Sequence, residues 1–313
     1  MTRNRKNQVA QPEAQESSVQ SVMGKKDVYQ IVSDRILALL DAGVNPWRKP
    51  WSAAAWKPPR NLASGKAYRG INIMLLGMAP YESNYWLTFK QALDRGGNVR
   101  KGEKSSLAVF WKLYDRKTED GTIDPAGRQI PVLRYFNVFN SEQCENIETP
   151  PIPQPQTFDH DPIETAEALA AAMPNPPAIE HADRRRAFYR ANTDTVNMPL
   201  PEQFQKREEY YSTLFHELAH STGHKSRLNR DLTGNFGDRS YGREELIAEM
   251  AAAYLSGLAG IIDETIDNTA AYLESWRGII KEDRKAVVMA AAAAQKAVDY
   301  ITNSHAMEQE EAA

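Results

Sequence analysis

The chain has 313 residues, 42% of them hydrophobic and 25% charged, a globular balance whose length favours two domains. No apolar run approaches the roughly 18–20 residues of a membrane span, and the N-terminus carries no apolar segment of a secretory signal. The net charge of −3 hides an asymmetry: residues 1–150 hold 22 Lys+Arg against 15 Asp+Glu, whereas the remainder holds 16 against 26. A basic half followed by an acidic half predicts an anionic partner for the first half alone. With Cys144 as its one cysteine the chain forms no internal disulfide and reads as cytoplasmic, and Cys144 as an ordinary thiol.

Residues 1–24 are polar, nearly devoid of large apolar residues, and expected to be a disordered tail. Asp27, with Gln30 three residues on, offers an N-cap to a helix marked by Val28, Ile31, Val32, Ile36, Leu39 and Leu40 and stopped by Gly43 and Pro46. A loop rich in Trp, Pro and Lys follows. Ile71–Leu76 and Tyr85–Leu93 read as two shorter helices, the second closed by Gly96-Gly97. Ser106–Tyr114 and Pro131–Phe139 are β-branched and aromatic, and predict a hairpin with a long polar loop. Thr149 to Pro155 is a polyproline-type linker. Asp161-Pro162-Ile163-Glu164 restarts a helix with a cap, Pro at its first position and an acid at its third. Arg186–Arg190 and Thr193–Met198 predict short strands, and a helix from about Pro201 runs through His220. The rest is helical, including an Ala-rich run from Ala286 to Ala297. The expected fold class is α+β in two domains: an N-terminal α+β nucleic-acid-binding domain over 25–148 and a mostly helical domain with a small sheet over 161–305. A Pro-rich linker over 149–160 joins them, and 306–313 form a second tail.

The first domain holds five of the six tryptophans, and Trp47-Arg48-Lys49-Pro50-Trp51 with Trp56-Lys57 interleaves rings with cations. Unpaired bases stack on such rings while cations track the phosphates, so sequence-neutral binding of single-stranded DNA is expected. Lys66, Arg69, Arg100, Lys101 and Lys104, in Gly-containing loops, join Trp47, Arg48, Lys49, Trp51, Trp56 and Lys57 as candidate DNA contacts. Trp86 and Trp111 lie inside elements and read as core. No helix-turn-helix or zinc-finger spacing is present.

The strongest chemical signal is His216-Glu217-Leu218-Ala219-His220, an H-E-x-x-H motif. Histidines four apart share a helix face and can reach one zinc, or another divalent metal, while Glu217 is placed to take a proton from water activated there. A third ligand is needed. Glu245, on a helix beginning near Gly242, is the candidate, with Glu249 one turn on supporting a histidine from behind. The reverse assignment of the two stays open. Glu244 points elsewhere and suits a charged helix start. Gly223 is placed to end the active helix. It falls at the metzincin glycine, but Ser226 stands at the third-histidine position and His224 is two residues early. Tyr241, His224 and Arg243 are alternatives for stabilising an oxyanion. Asp194–Met198 is placed as an exposed strand edge for capturing a peptide.

Together these residues resemble antirestriction proteins of the ArdC type. The likeness in the first half rests on Asn45-Pro46-Trp47, Tyr68-Arg69-Gly70-Ile71-Asn72, Trp86, Lys101-Gly102-Glu103-Lys104 and Tyr135 to Asn140. In the second half it rests on Ala187-Phe188-Tyr189, Asp194, Met198-Pro199, His216 to His220 and Glu244 to Glu249. The resemblance implies a single-stranded-DNA-binding domain joined to a zincin-like metallopeptidase domain, and protection of incoming plasmid DNA from restriction during conjugation. DNA-bound proteins are the expected peptidase substrates, because tethering raises their effective concentration. The alternative is a non-proteolytic DNA-binding protector whose metal site is structural or vestigial. A nuclease is a weaker third reading, since such sites favour clustered carboxylates.

Overall fold

The computed structural model describes residues 27–43, 46, 58–116, 122, 127, 129–150, 162–183, 186–233, 238–261 and 270–304. The expected tails, most of the Pro-rich linker, and the candidate DNA residues Trp47, Arg48, Lys49, Trp51, Trp56 and Lys57 lie outside the described residues.

The first half opens with helix α1 (Val28–Asp41), capped by Asp27, whose side chain accepts from the Tyr29 N–H. Gln30 does not complete a capping box; its amide donates to Asp34 instead. Then come β1 (Arg60–Asn61), α2 (Ile71–Gly77), β2 (Tyr85–Leu87), α3 (Phe89–Asp94), β3 (Asn98–Val99), the long hairpin β4 (Ser106–Asp115) and β5 (Gln129–Asn140), and β6 (Cys144–Glu145). One sheet has the order β1-β2-β5-β4, and β3 pairs with β6. The helix expected over Tyr85–Leu93 is divided. Thr88 and Gln91 form a capping box that fixes the start of α3 at Phe89, leaving Tyr85–Leu87 to pair with β5. Trp86 is buried as expected, but Trp111 is 41% exposed on β4, so its core assignment is corrected.

The second half contains α4 (Pro162–Ala171), β7 (Ala178–Ala182), β8 (Phe188–Arg190), β9 (Thr195–Pro199), α5 (Arg207–Ser221), α6 (Arg239–Ala259), α7 (Ala270–Glu282) and α8 (Ala286–Ile301). Pro201–Gln203 is a separate 3-10 turn, so α5 starts later than expected. The small sheet has the order β7-β9-β8. Here another expectation fails. β9, proposed as the exposed edge, is the central strand, buried and paired in parallel with β7 and antiparallel with β8. Strand β7, which the sequence reading missed, takes the other side. The edge nearest the site is therefore β8.

One hydrophobic core runs through both halves: Val32, Ile36 and Leu40 of α1 and Ile73, Met74 and Leu75 of α2 join residues of α4, α5, α6, α7 and α8. The Ala-rich run has its reason here. Ala290, Ala291, Ala294 and Ala297 are buried in a helix that packs closely on α6. Polar contacts stitch the same seam. Arg69 pairs with the buried Asp299 carboxylate, the Gly70 N–H donates to Gln295 at 3.0 Å, and the Tyr254 hydroxyl donates to the Gly70 carbonyl at 3.0 Å. Gly70 has φ +57°, a conformation that favours glycine at this junction.

Candidate metal centre

The site is built where α5 crosses α6. Leu214, Phe215, Leu218 and Ala219 bury the inner face of α5, and Leu246, Ala248, Met250 and Ala251 bury that of α6. Each large apolar side chain contributes about 1.5–3 kcal/mol, enough together to offset the cost of drawing ionisable groups into the same interface. His216, Glu217 and His220 on α5, and Glu244 and Glu245 on α6, line a cleft of about 800 Å³ with Phe188 and Tyr189 of β8.

His216, His220 and Glu245 converge. The two imidazole Nε2 atoms lie 3.1 Å apart. Glu245 places one carboxylate oxygen 3.5 Å from His216 Nε2 and the other 3.5 Å from His220 Nε2. A tetrahedral zinc with bonds of about 2.0–2.1 Å has ligand-to-ligand edges of about 3.3–3.4 Å. The two imidazole nitrogens and a Glu245 carboxylate that turns one oxygen toward each are close to that spacing and fit a divalent cation. Among the described residues, this is the one cluster of His, Cys, Asp and Glu with metal-ligand spacing.

The back of each imidazole meets a further carboxylate. His216 Nδ1 lies 3.7 Å from Glu249, charge proximity rather than the hydrogen bond expected of a supporting carboxylate. His220 Nδ1 lies 3.4 Å from Glu244. The sequence reading sent Glu244 elsewhere, and this is corrected. Helix α6 begins at Arg239, so Glu244 is past its first turn, and the residue is 7% exposed. Arg230 holds it with two bonds, Nη2 to Oε1 at 2.6 Å and Nε to Oε2 at 3.0 Å. The same guanidinium donates to the Ala219 carbonyl and the Thr222 hydroxyl. It thereby ties the support of His220 to the end of the helix that carries it. Two adjacent glutamates opening onto the run Leu246 to Ala253, apolar but for Glu249, were the available signal, because each buried carboxylate needs its own partner. Replacing Glu244 by Gln is expected to weaken metal binding by about 10–100-fold at unchanged stoichiometry, measured by competition with a coloured chelator.

Electrostatics follow from this crowding. Burial favours the neutral imidazoles, but Glu245 and Glu249 outweigh it at His216, whose pKa is raised. At His220 the bonds from Glu244 and Glu245 push the pKa up to about 10. Burial alone would raise Glu245, yet both histidines hold its carboxyl well below the usual range.

The turn after α5 is compact, and Gly223 serves it differently from the expectation. The helix ends at Ser221 with Thr222 as its C-cap, and Gly223 is needed for space: a Cβ there would lie 2.7 Å from Leu232 and 3.1 Å from the His220 carbonyl. His224 is not among the three converging donors. Its Nδ1 lies 2.7 Å from the Ser226 hydroxyl. Arg243 pairs with Asp283 at 2.5 Å on the surface, whereas Tyr241 lines the cleft. Of the described DNA candidates, Lys66, Lys101 and Lys104 are exposed. Arg69 is engaged by Asp299, and Arg100 by Glu103 at 3.0 Å.

An H-E-x-x-H helix crossed by a second helix that supplies a carboxylate, beside a three-stranded sheet, defines the second half as zincin-like. Accordingly, residues 164–293 match the profile of a zincin-like metallopeptidase, and residues 26–139 match that of the N-terminal domain of anti-restriction factor ArdC. The fold is similar to the crystal structures of the antirestriction ArdC protein from the R388 plasmid. The metal-free form gives a TM-score of 0.72 at 36% identity, covering 90% of this chain and 98% of that one. The Mn(II)-bound form gives 0.71 at 37%, covering 89% and 98%. The chain belongs to the ArdC family of antirestriction proteins. It is also 35% identical over 285 residues to an uncharacterized protein of Sinorhizobium fredii, covering 88% of this chain and 91% of that one. Two Escherichia coli proteins named DNA primase TraC are 36% and 35% identical over 88% of the chain, which spans only 27% and 20% of their lengths. Among the described residues, no helix is long and apolar enough to cross a membrane.

Proposed function

We propose that this antirestriction protein binds single-stranded DNA through its first half and hydrolyses peptide bonds of DNA-bound proteins with its second, protecting incoming plasmid DNA during conjugation. The observation that carries the reading is the convergence of His216, His220 and Glu245 on one cleft that also presents Glu217. Those three side chains would hold a divalent cation, with zinc as the expected metal. Such a cation supplies Lewis acidity, polarising a water molecule and a substrate carbonyl. Glu217, beside the two histidines and 7% exposed, accepts the proton of the attacking water and passes it to the leaving amine. Strand β8, the edge of its sheet among the described strands, offers backbone groups along which an extended substrate pairs. Tyr241, on the cleft wall, supplies a hydroxyl for the developing oxyanion.

The test uses the full chain, because the two halves share a core. The metal-loaded protein is incubated with a single-strand-binding protein substrate, with and without an oligonucleotide. Cleavage that a chelator abolishes is expected. Intact substrate in every arm, with metal content verified, would overturn the peptidase half.

A further inference from the structure

We propose that the outward face of the β4–β5 hairpin is the platform on which single-stranded DNA stacks. This rests on the single-strand-binding reading above and names a surface that the sequence reading did not select.

The hairpin projects from its sheet. β4 and β5 pair over ten registers from Ser106↔Val138 to Asp115↔Gln129, whereas β2 pairs with β5 only at Phe139 and Asn140. A two-stranded ribbon is marginally stable by itself, and this one spends stability on exposed apolar side chains. Directly paired residues share a face, as do alternate residues along each strand. Phe110 with Arg134, Lys112 with Val132 and Tyr114 with Ile130 therefore form one continuous face. Phe110 is 39% exposed and Ile130 48%.

The chemistry of that face favours nucleic acid. The Phe110 ring lies 5.3 Å from that of Phe136. Lys112 Nζ stands 5.1 Å from the centre of the Tyr114 ring, and the Arg134 guanidinium 5.9 Å from the same ring. Phe110 and Tyr114 stand four residues apart on β4, roughly 13 Å at about 3.3 Å per residue, so an extended single strand can stack one base on each while crossing Lys112 between them. The two cations are placed to meet phosphates, and among the described residues of this face there is no carboxylate. The opposite face also exposes rings, Trp111 and Tyr135, but it buries Val109 and Leu133 in the core, sets Trp111 6.2 Å from Tyr29 of α1 between ring centres, carries no cation on the paired residues, and ends in Asp115.

The experiment measures the anisotropy of a labelled oligothymidylate with full-length protein. Phe110→Ala with Tyr114→Ala is expected to weaken binding by about tenfold for each ring lost. Lys112→Gln with Arg134→Gln is expected to make the slope of log K against log salt shallower by about 1.4. Lys112 and Arg134 are exposed, whereas Phe110 is 39% exposed and Tyr114 half-buried, so binding is compared at a temperature where melts show every variant folded, and bromouracil cross-links in wild-type protein should map to 106–116 or 129–140. Tight wild-type binding that all four substitutions leave unchanged, with cross-links elsewhere, overturns the platform and spares the single-strand reading. A wild type that binds no oligonucleotide at low salt overturns both. A dimer that Phe110→Glu converts to monomer at unchanged DNA affinity would assign the face to self-association and likewise overturn the proposal.

Discussion

Glu217→Ala is expected to lower peptide hydrolysis by about a hundred- to ten-thousand-fold, the usual contribution of a positioned general base. Metal content and DNA affinity should stay at wild-type levels, because Glu217 is not one of the three converging donors. Its loss removes a proton acceptor and leaves His216, His220 and Glu245 in place. The measurement is cleavage rate per bound metal, alongside restriction of incoming plasmid in cells carrying each variant. If Glu217→Ala protects plasmid DNA as well as wild type, proteolysis is not the route to protection, and the metal site serves structure in a DNA-binding protector. If protection falls with cleavage, the two halves act in series.

The second large effect concerns stability. Arg227 has a fully buried side chain, and its guanidinium donates to both carboxylate oxygens of Asp194 at 2.8–2.9 Å. It also donates to the carbonyls of Ser221 and Asn175, tying the end of α5 to the turn before β9. The Tyr189 hydroxyl of β8 donates to the same carboxylate at 2.7 Å, so one ion pair anchors both the edge strand and the active helix. Asp194 sits at φ +49°, a conformation asparagine tolerates, so Asp194→Asn removes the charge without a backbone penalty. An uncompensated buried guanidinium is expected to cost about 2–4 kcal/mol, or about 4–15 °C in Tm. Burial alone would raise the Asp194 pKa, but the Tyr189 and Arg227 bonds outweigh it and hold the carboxyl below its ordinary value. A depressed carboxylate stabilises the fold above its unfolded value of about 3.9, and that stability is lost as pH falls through the lower folded value. The wild-type advantage over Asp194→Asn should therefore be full near neutral pH and vanish in acid. Equal melting temperatures at pH 7 would dismiss the anchor.

How far each feature was legible in the sequence depended on whether its cause was local. The H-E-x-x-H spacing and the helical period of α5 brought His216, Glu217 and His220 to one face without reference to anything distant. Glu245 followed from one further helix, and Glu249, one turn on, comes near His216 without bonding it. Glu244 did not, because its burial is set by Arg230, which returns beneath His220 only through the turn closed by the Leu228 and Arg230 amides. Strand order was illegible for a related reason: β9 is interior only because β7 pairs along its other side, and no local pattern announces a parallel partner. Likewise Arg69, Lys101 and Lys104, read as loop cations that approach a nucleic acid backbone, lie next to segments that carry internal structure. The Asn72 side chain brackets Val109 with two 2.8 Å hydrogen bonds, and Gln143 donates to both Glu103 and the Lys104 carbonyl. Trp111 illustrates the converse. A strand pattern does not reveal whether the strand extends past its sheet, so a ring that reads as core can face solvent.

The measurement that tests the account most directly is metal content per chain after loading and desalting, for wild type, His220→Ala, Glu245→Ala and Glu217→Ala. Three donors closing on one point predict one equivalent in wild type and in Glu217→Ala, and a loss of metal from His220→Ala and Glu245→Ala without unfolding. Wild type and His220→Ala retaining the same metal at the same affinity would contradict it.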